Sequence, residues 1–206
     1  MKFYMFNLSN RIFNNLEEFN EVTGFRIYPH TNNIIFICLK DDTYIRVNEE
    51  DAGIDLSNLN DIEYDNTMSI LEHEPFLIET GVKVKLPIGF EAQVRPRSSL
   101  PLKFGMMVAN SPGTIDASYR GDIMIQAIIF NKYKFIQNMK IEEDRCYLPK
   151  HTRLAQLIIN PVLYYTNYVY EDEYNVFIVR SSYIYKNFDK IFPSKRGTGG
   201  FGSSGK

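Results

Sequence analysis

The segment RPRSSL, residues 95–100, combines side chains that suit a phosphate ligand. Arg97 offers a guanidinium fork and Ser98 a hydroxyl, and the adjacent Pro96 excludes a helix interior, so both can face one ligand where a strand ends. A surface salt bridge beside an ordinary turn explains the same residues equally well. The segment indicates an anion site and leaves the structural explanation open.

The segment VANSPGTIDASYRGD, residues 108–122, is typical of a tight hairpin, with Asn110, Pro112 and Gly113 turning the chain. A hairpin exposes backbone donors and acceptors that suit the edge of a nucleic acid base. Asp116 lies inside it, behind the apolar Ile115. Capping a turn is the commoner role of an aspartate in a loop.

Two further segments carry polar residues inside strand-like patterns. In RLAQL, residues 153–157, strand alternation predicts Arg153 and Gln156 on opposite sides, and a buried glutamine needs hydrogen-bond partners. In DAGIDL, residues 51–56, a glycine permits a turn before Asp55. Capping a helix or joining a buried ion pair are alternatives to a ligand role for this aspartate.

The last segment, RGTGGFGSSGK at residues 196–206, has the composition of a flexible terminus. Arg196 and Phe201 are not required by that interpretation.

Strands must position these residues. FLIETGVKVKL, residues 76–86, places Phe76, Ile78, Thr80, Val82, Val84 and Leu86 on one side at period two, which predicts a half-buried antiparallel strand. GDIMIQAIIFN and RLAQLIINPVLYY are apolar on both faces, as in strands inside a sandwich or barrel, and NNIIFICLK, DTYIRV and EYNVFIVRSSYIY indicate further strands. The pattern predicts an all-β sandwich or barrel.

One short N-terminal helix is also predicted, because Ser9 or Asn10 can cap it and Gly24 can end it. We expect a single domain over residues 1–206. Residues 8–47 are predicted to be an inserted helix and strands, and residues 166–195 an insertion or connection.

Composition excludes several classes of protein. With 44% hydrophobic and 23% charged residues the chain should fold, and its net charge of −2 disfavours broad nucleic-acid binding. No apolar run reaches the roughly 18 residues of a membrane helix, so we expect no membrane span and a cytoplasmic, intracellular location. The two cysteines, Cys38 and Cys146, are isolated and are expected to be buried thiols.

Taken in order, DAGIDL, PRSSL, GTIDASYRGD, RLAQL and RGTGGFGSSG resemble the five motifs of the trimeric dUTP diphosphatases, the dUTPases. The resemblance extends from residue 51 to the C-terminus. It implies a distorted β-barrel or jelly-roll subunit with insertions. It also implies hydrolysis of dUTP at the α-phosphorus to dUMP and pyrophosphate, which limits uracil in DNA and supplies dUMP for thymidylate synthesis.

The resemblance also assigns roles to residues. Asp116 matches the general base and Gln156 the residue that orients the attacking water. Tyr119 matches the tyrosine that packs on deoxyribose and excludes a 2′-hydroxyl, Arg196 the contact to the γ-phosphate, and Phe201 the ring over uracil. The resemblance also implies that residues 196–206 are a flexible lid, whose glycines let it fold over the triphosphate. The implied substrate contacts are Arg97, Ser98, Ser99, Asn110, Gly113, Thr114, Ile115, Tyr119, Arg153, Arg196, Phe201, Gly202 and Ser203.

Further implications concern the cofactor and the assembly. Mg²⁺ is expected, held mainly by phosphate oxygens and water, with Asp55 near the metal and bound to it through water. A homotrimer is expected, with sites completed by neighbouring chains. Arg153 either supports such a shared site or is structural, and Arg120 is expected to form an ion pair.

Two alternatives remain open. A dCTP deaminase, or a bifunctional deaminase and diphosphatase, also carries an R-S-S motif, but it needs a glutamate where this chain has Gln126. A regulatory protein that senses nucleotides on a dUTPase fold would use the insertions to contact a protein partner.

Overall fold

The structure, a computed structural model, describes residues 2–7, 16–24, 34–48, 50–64, 73–142, 145–162 and 175–200. Its strands are β1 (Lys2–Asn7), β2 (Ile34–Leu39), β3 (Ile45–Arg46), β4 (Ile54–Ser57), β5 (Ile62–Glu63), β6 (Phe76–Lys85), β7 (Phe90–Pro96), β8 (Met106–Val108), β9 (Gly113–Asp116), β10 (Ile123–Ile129), β11 (Lys140–Glu142), β12 (Arg145–Leu148), β13 (Arg153–Pro161) and β14 (Asn175–Arg180). Its helices are α1 (Leu16–Thr23), α2 (Ser99–Phe104), α3 (Lys132–Gln137), α4 (Ser182–Lys186) and α5 (Phe188–Ile191). Strands dominate, so the all-β prediction is confirmed.

The strands form a two-layer sandwich. One sheet has the order β1-β14-β2-β6-β10-β8 and the other β3-β4-β13-β7-β9, with a small third sheet β11-β12-β5. Ile37 and Ile125 from the first sheet share one buried cluster with Leu56 and Leu157 from the second. Within the described ranges the strands form these separate sheets rather than a closed barrel, the arrangement of jelly-roll proteins.

Strand β6 is half-buried only in its first part. Burial alternates from Leu77 to Thr80 as predicted, but every residue from Gly81 to Lys85 is buried. The second face is covered by α4, where Lys83 Nζ donates a hydrogen bond to the carbonyl oxygen of Tyr185, 3.1 Å away, and lies 4.6 Å from the centre of the Tyr185 ring. Packing of a helix from late in the chain therefore overrides the period-two pattern.

The regions predicted as insertions associate with each other. Strand β14 lies between β1 and β2 and runs parallel to both. Helices α4 and α5 pack on this part of the sheet through a second buried cluster, in which the rings of Phe36 and Phe192 are 4.9 Å apart and those of Phe188 and Phe192 5.0 Å apart.

The strand predicted over EYNVFIVRSSYIY ends earlier than expected, at Arg180. Ser181 has extended backbone angles, and its hydroxyl accepts a hydrogen bond from the amide of Ile184 at 3.3 Å, which caps α4. The residues after the cap form a helix although their β-branched and aromatic side chains favour a strand.

The helix count was underestimated. Helix α1 ends at Thr23, and the following Gly24, with a φ of 75°, terminates it as predicted. The predicted cap at Ser9 or Asn10 lies outside the described residues. Helices α2 to α5 are too short for a periodic sequence signal.

The predicted hairpin over residues 108–122 is wrong. Strand β8 pairs with β10 in the six-stranded sheet, whereas β9 pairs with β7 in the five-stranded sheet. Residues 109–112, which include a cis Ser111–Pro112 bond, therefore cross between the sheets. We refer to residues 109–122 as the crossover segment.

None of the described helices is long and apolar enough to span a membrane. Both cysteines are free thiols, but the burial predicted for Cys146 is wrong, because this residue is only partly buried. Cys38 is buried, and burial raises the pKa of its thiol, so it stays protonated at neutral pH.

Candidate functional site

The crossover segment borders a cavity of about 160 Å³. Part of its lining comes from the strands below it and from Gly200. The cavity brings together seven of the residues predicted from the sequence, namely Asn110, Gly113, Thr114, Ile115, Asp116, Tyr119 and Arg196. It is smaller than the roughly 300–1,000 Å³ of a pocket for a whole ligand, so it suits one ring of a larger molecule.

Tyr119 forms a rigid wall of this cavity. It is buried, and its hydroxyl donates a hydrogen bond to the carbonyl oxygen of Asp122 at 2.9 Å. Burial, followed by the charge of Asp122, raises the pKa of the phenol, so it remains a neutral donor. Gly200 approaches so closely that a Cβ there would lie 3.2 Å from Tyr119 Cε2. The ring is thus held on one side by the final described residue.

Asp116 lies at the rim and forms an ion pair with Arg196. Its side chain is 54% exposed, so water can reach the carboxylate. Arg196 also donates from Nε to the carbonyl oxygen of Gly199 at 2.8 Å, and its guanidinium lies 5.6 Å from the centre of the Tyr119 ring. Asp116, the candidate general base, and Arg196, the candidate phosphate-binding residue, therefore meet at the rim of the cavity.

A second polar group surrounds Asp55, at the far end of the five-stranded sheet. The Asp55 carboxylate is 3.1 Å from Arg97 Nε and 2.9 Å from Arg153 Nη1, and Arg46 Nη1 is 3.8 Å away. Asp55 is buried, while each arginine is partly exposed. The buried ion pair considered for this aspartate is the arrangement that the structure contains.

The strand alternation predicted for RLAQL is wrong. Arg153 is opposite Ser57 and Ala155 is opposite Leu56, so Leu154 is an additional residue and the register shifts. Gln156 is opposite Asp55, which puts it on the face where Arg153 binds that aspartate. Both polar side chains therefore share one face.

Gln156 is half-buried, and its Nε2 donates to the carbonyl oxygen of Pro96 at 3.2 Å. Arg97 donates to the carbonyl oxygen of Arg153 at 3.4 Å. Ser98 is exposed, and its hydroxyl does not cap α2, which begins at Ser99. We call Arg97, Arg153, Gln156 and Ser98, together with the Asp55 carboxylate that pairs with both arginines, the arginine surface.

The residues around the cavity and the polar residues around Asp55 are far apart within one chain. Along β7, Arg95 is opposite Gln156 and Glu91 is opposite Asp116, four residues away. With β9 and β13 on either side of β7, strand geometry puts the Cα atoms of Asp116 and Gln156 roughly 16 Å apart. Side chains cannot bridge that distance to act on one water molecule.

The described residues contain no group of three histidine, cysteine, aspartate or glutamate side chains that could hold a metal ion. The only predicted metal-site residue, Asp55, has both carboxylate oxygens directed at arginines. A metal bound directly by this carboxylate does not fit, whereas a metal held by phosphate oxygens and water needs no such ligand.

One arginine of the site, Arg95, was not recognised from the sequence, and Arg120 was assigned a structural ion pair. Arg95 is exposed on the same face as Gln156, and its position two residues before Arg97 on a strand was the available signal. Arg120 is buried, and its described partners are the carbonyl oxygens of Phe192 at 2.7 Å and of Ala117 and Tyr119 at 2.8 Å each. The ion pair predicted for Arg120 is therefore wrong within the described chain.

Three predicted residues of the final motif, Phe201, Gly202 and Ser203, lie outside the described residues.

The family model for dUTPase matches residues 42–205 of this sequence. The chain belongs to the dUTPase family. The match begins just before the first motif, so β1, α1 and β2 precede the part common to dUTPases, while β14, α4 and α5 lie within the matched range.

Among curated dUTPase relatives, the deoxyuridine 5′-triphosphate nucleotidohydrolase of Maricaulis maris is 36% identical over 156 residues, 76% of this chain and 82% of that protein. The enzyme of the same name from Clostridioides difficile is 36% identical over 169 residues, 81% of this chain and 94% of that protein. The crystal structure of dUTPase from Streptococcus mutans is similar with a TM-score of 0.47 and 24% identity, covering 62% of this chain and 95% of that one.

Proposed function

We propose that this chain hydrolyses dUTP to dUMP and pyrophosphate. The observation that carries the proposal is the convergence of Tyr119, Asp116 and Arg196 around a cavity sized for one ring. The names of its curated relatives, deoxyuridine 5′-triphosphate nucleotidohydrolases, agree with this activity.

In this proposal the crossover segment recognises the nucleoside. The cavity of about 160 Å³ accepts the uracil ring, with the backbone beside Asn110 and Gly113 reading its polar edge. Tyr119 packs against the deoxyribose, and its fixed position leaves no space for a 2′-hydroxyl. Phe201 then covers the base from the final motif.

The triphosphate requires several positive charges. Arg97 and Arg153, with Ser98 and Ser99 beside them, supply a guanidinium surface on which the ion pairs to Asp55 fix the side-chain directions. Arg196 contributes from the other side, at the γ-phosphate. Neutralising phosphate charge in this way allows a water molecule to approach phosphorus.

Asp116 acts as the general base in this scheme, and Gln156 orients the water. Arg196 is paired with Asp116 in the structure, so a bound triphosphate would draw the guanidinium away and release the carboxylate. The freed carboxylate can then accept a proton from the attacking water. Mg²⁺ bound to phosphate oxygens and water would supply further charge neutralisation, without Asp55 as a direct ligand.

A homotrimer accounts for the separation of the two polar groups. Because Asp116 and Gln156 are roughly 16 Å apart in one chain, we propose that each site combines the cavity of one chain with the arginine surface of a neighbour.

The competing functions have less support. A deaminase would need an acidic side chain where this chain has Gln126, a neutral amide on β10. The curated relatives are named for hydrolysis of deoxyuridine 5′-triphosphate and not for a regulatory role.

Pyrophosphate release from dUTP, dCTP, dTTP and UTP tests the proposal. We expect kcat/KM for dUTP to exceed that for dCTP and UTP by at least about 100-fold, because the uracil edge and the 2′ position are both read. It should also exceed kcat/KM for dTTP, whose base must fit an added 5-methyl group into a cavity of about 160 Å³. Equal rates with dUTP and UTP would contradict the role of Tyr119, and release of ammonia from dCTP would support the deaminase instead.

A further inference from the structure

Tyr119, which excludes the 2′-hydroxyl in the proposed function, is held by the turn that follows it. Its hydroxyl donates a hydrogen bond to the carbonyl oxygen of Asp122 at 2.9 Å. Gly121 lies so close to the ring that a Cβ there would be 2.9 Å from Tyr119 Cε2. The position of the ring against a sugar therefore depends on where the backbone of Asp122 lies.

The side chain of Asp122 is held by two buried residues from outside the crossover segment. The Tyr185 hydroxyl of α4 is hydrogen-bonded to one carboxylate oxygen, and Lys83 Nζ of β6 lies 3.9 Å from the other. Tyr185 and Lys83 are both buried, whereas the Asp122 side chain is 48% exposed. A half-exposed carboxylate that lines the cavity is thus fixed from behind by the protein interior.

Tyr185 is itself rigidly placed. Its carbonyl oxygen accepts the hydrogen bond from Lys83 Nζ, and the ammonium group lies 4.6 Å from the centre of its ring. Burial, followed by the hydrogen bond to Asp122, raises the pKa of the Tyr185 phenol, so it stays a neutral donor. A hydrogen bond from such a donor to a carboxylate is stronger than one between neutral groups.

Regular strand pairing contributes little to the position of Asp122. Strand β10 begins at the next residue, where Ile123 is opposite Val82 but Met124 is opposite Glu79. An uninterrupted antiparallel pair would put Met124 opposite Gly81, so the ladder is irregular at this point. Side-chain contacts therefore have a larger part in fixing Asp122 than they would beside a regular ladder.

We propose that Tyr185 is a positioning residue for substrate selection. By holding the carboxylate of Asp122 it fixes the carbonyl group that binds Tyr119, and so it determines how strictly a 2′-hydroxyl is excluded. Residues 166–195 were predicted from the sequence as an insertion or connection, and this inference gives α4 within them a part in the site. It rests on the role of Tyr119 in the proposed function.

Tyr185→Phe tests the inference, because it removes only the hydroxyl and keeps the ring in the second cluster beside Lys83. Binding of α,β-imido-dUTP and α,β-imido-UTP by calorimetry compares a deoxy and a ribo probe without turnover. The preference is the Kd of the ribo probe divided by that of the deoxy probe. We expect it to fall about 10-fold, mainly through tighter binding of the ribo probe. A preference within about 2-fold of wild type would overturn the proposal.

Ser181→Ala is the matched control in the same helix. It removes the hydroxyl that caps α4 by accepting from the Ile184 amide at 3.3 Å, and it leaves the Tyr185 hydroxyl in place. Both variants are expected to lower the Tm, but only Tyr185→Phe should lower the preference for the deoxy probe. An equal fall in both would show that the preference follows the stability of α4, and the positioning role would be wrong.

Asp122→Ala tests whether the effect passes through that carboxylate. This substitution removes the acceptor, so adding Tyr185→Phe to it should change the preference no further. Asp122→Asn keeps an acceptor oxygen for the Tyr185 hydroxyl and should retain most of the preference. Additive effects of Tyr185→Phe and Asp122→Ala would contradict the route through Asp122.

Hydrogen exchange separates this inference from the proposed function. If Tyr185 holds the crossover segment, amides of residues 117–123 should exchange faster in Tyr185→Phe than in wild type or Ser181→Ala. Unchanged exchange would overturn the attachment. A wild type with no preference between the two probes would contradict the role of Tyr119, and with it the part of Tyr185 in selection, while the exchange rates would still show whether Tyr185 holds the segment.

Discussion

Asp55→Asn separates the two roles considered for this buried aspartate, an ion-pair anchor and a metal ligand. The carboxylate is 2.9 Å from Arg153 Nη1 and 3.1 Å from Arg97 Nε. Asparagine keeps the shape of the side chain but loses its charge and directs an NH₂ group at one of the two arginines. The substitution therefore removes the ion pairs without creating a cavity.

The contacts of Asp55 determine how much folding stability the Asp55→Asn substitution removes. A hydrogen bond to a charged group contributes about 1.5–3 kcal/mol, and breaking a buried ion pair costs about 3–5 kcal/mol. The Arg97 and Arg153 side chains are 26% and 34% exposed, so they regain some hydration. We expect a loss of about 2–3 kcal/mol in the free energy of unfolding, which corresponds to a Tm lower by about 5–10 °C.

Thermal unfolding at one fixed protein concentration measures this loss, because the Tm of an oligomer depends on concentration. Arg46→Gln is the control: its guanidinium lies 3.8 Å from the same carboxylate and its side chain is 45% exposed, so it should cost less than about 1 kcal/mol. Turnover of Asp55→Asn should fall, because Arg97 loses its fixed direction, while the Mg²⁺ concentration for half-maximal turnover stays unchanged.

The opposite pattern would refute the reasoning. If the Tm of Asp55→Asn stayed within about 2 °C of wild type while more Mg²⁺ were needed for turnover, Asp55 would act on the metal and the ion pairs would be incidental.

Three further predictions concern residues outside that ion pair. Arg120→Met should lower the free energy of unfolding by about 3 kcal/mol in chemical denaturation, because buried carbonyl oxygens such as that of Phe192 lose a charged donor; a loss below about 1 kcal/mol would contradict this. Burial, followed by the charge of Arg120, lowers the pKa of Lys85 to about 8, so above that pH the unfolded chain binds more protons than the folded chain. Between pH 8 and 10 the free energy of unfolding of the wild type should therefore rise by up to about 1.4 kcal/mol per pH unit relative to that of Lys85→Met. Parallel curves of stability against pH for the two proteins would contradict the lowered pKa. Gly53→Ala should destabilise by about 2 kcal/mol in thermal unfolding, because its Cβ would lie 2.8 Å from the carbonyl oxygen of Leu157, and an unchanged Tm would show that β13 moves freely.

The local pattern of apolar residues in the sequence was sufficient to predict most strands of the fold. The apolar runs of β2, β10 and β13 were recognised, because burial between two sheets selects residues that are visible in sequence. Helix α4 was missed because its helical state depends on a cap at Ser181 and on packing in the second cluster, and neither is encoded in local propensity. Tertiary contacts decided that segment.

The arrangement within the site was less predictable than its residue types. The cavity gathers the predicted Asp116, Tyr119 and Arg196, whereas the pairing of β8 and β9 with different sheets replaced the expected hairpin. One additional residue, Leu154, changed which side chains of β13 share a face. Sheet pairing and bulges depend on long-range contacts, so a period-two pattern alone cannot supply them.

Pyrophosphate release from dUTP by wild type and by Asp116→Asn tests the central claim most directly. We expect the wild type to turn over dUTP and the variant to lose about 100- to 10,000-fold in kcat, the contribution of a general base, while its Kd for dUTP changes little. Retention of near-full turnover by Asp116→Asn would contradict the assignment of the base, and no turnover of dUTP by the wild type would contradict the proposed function.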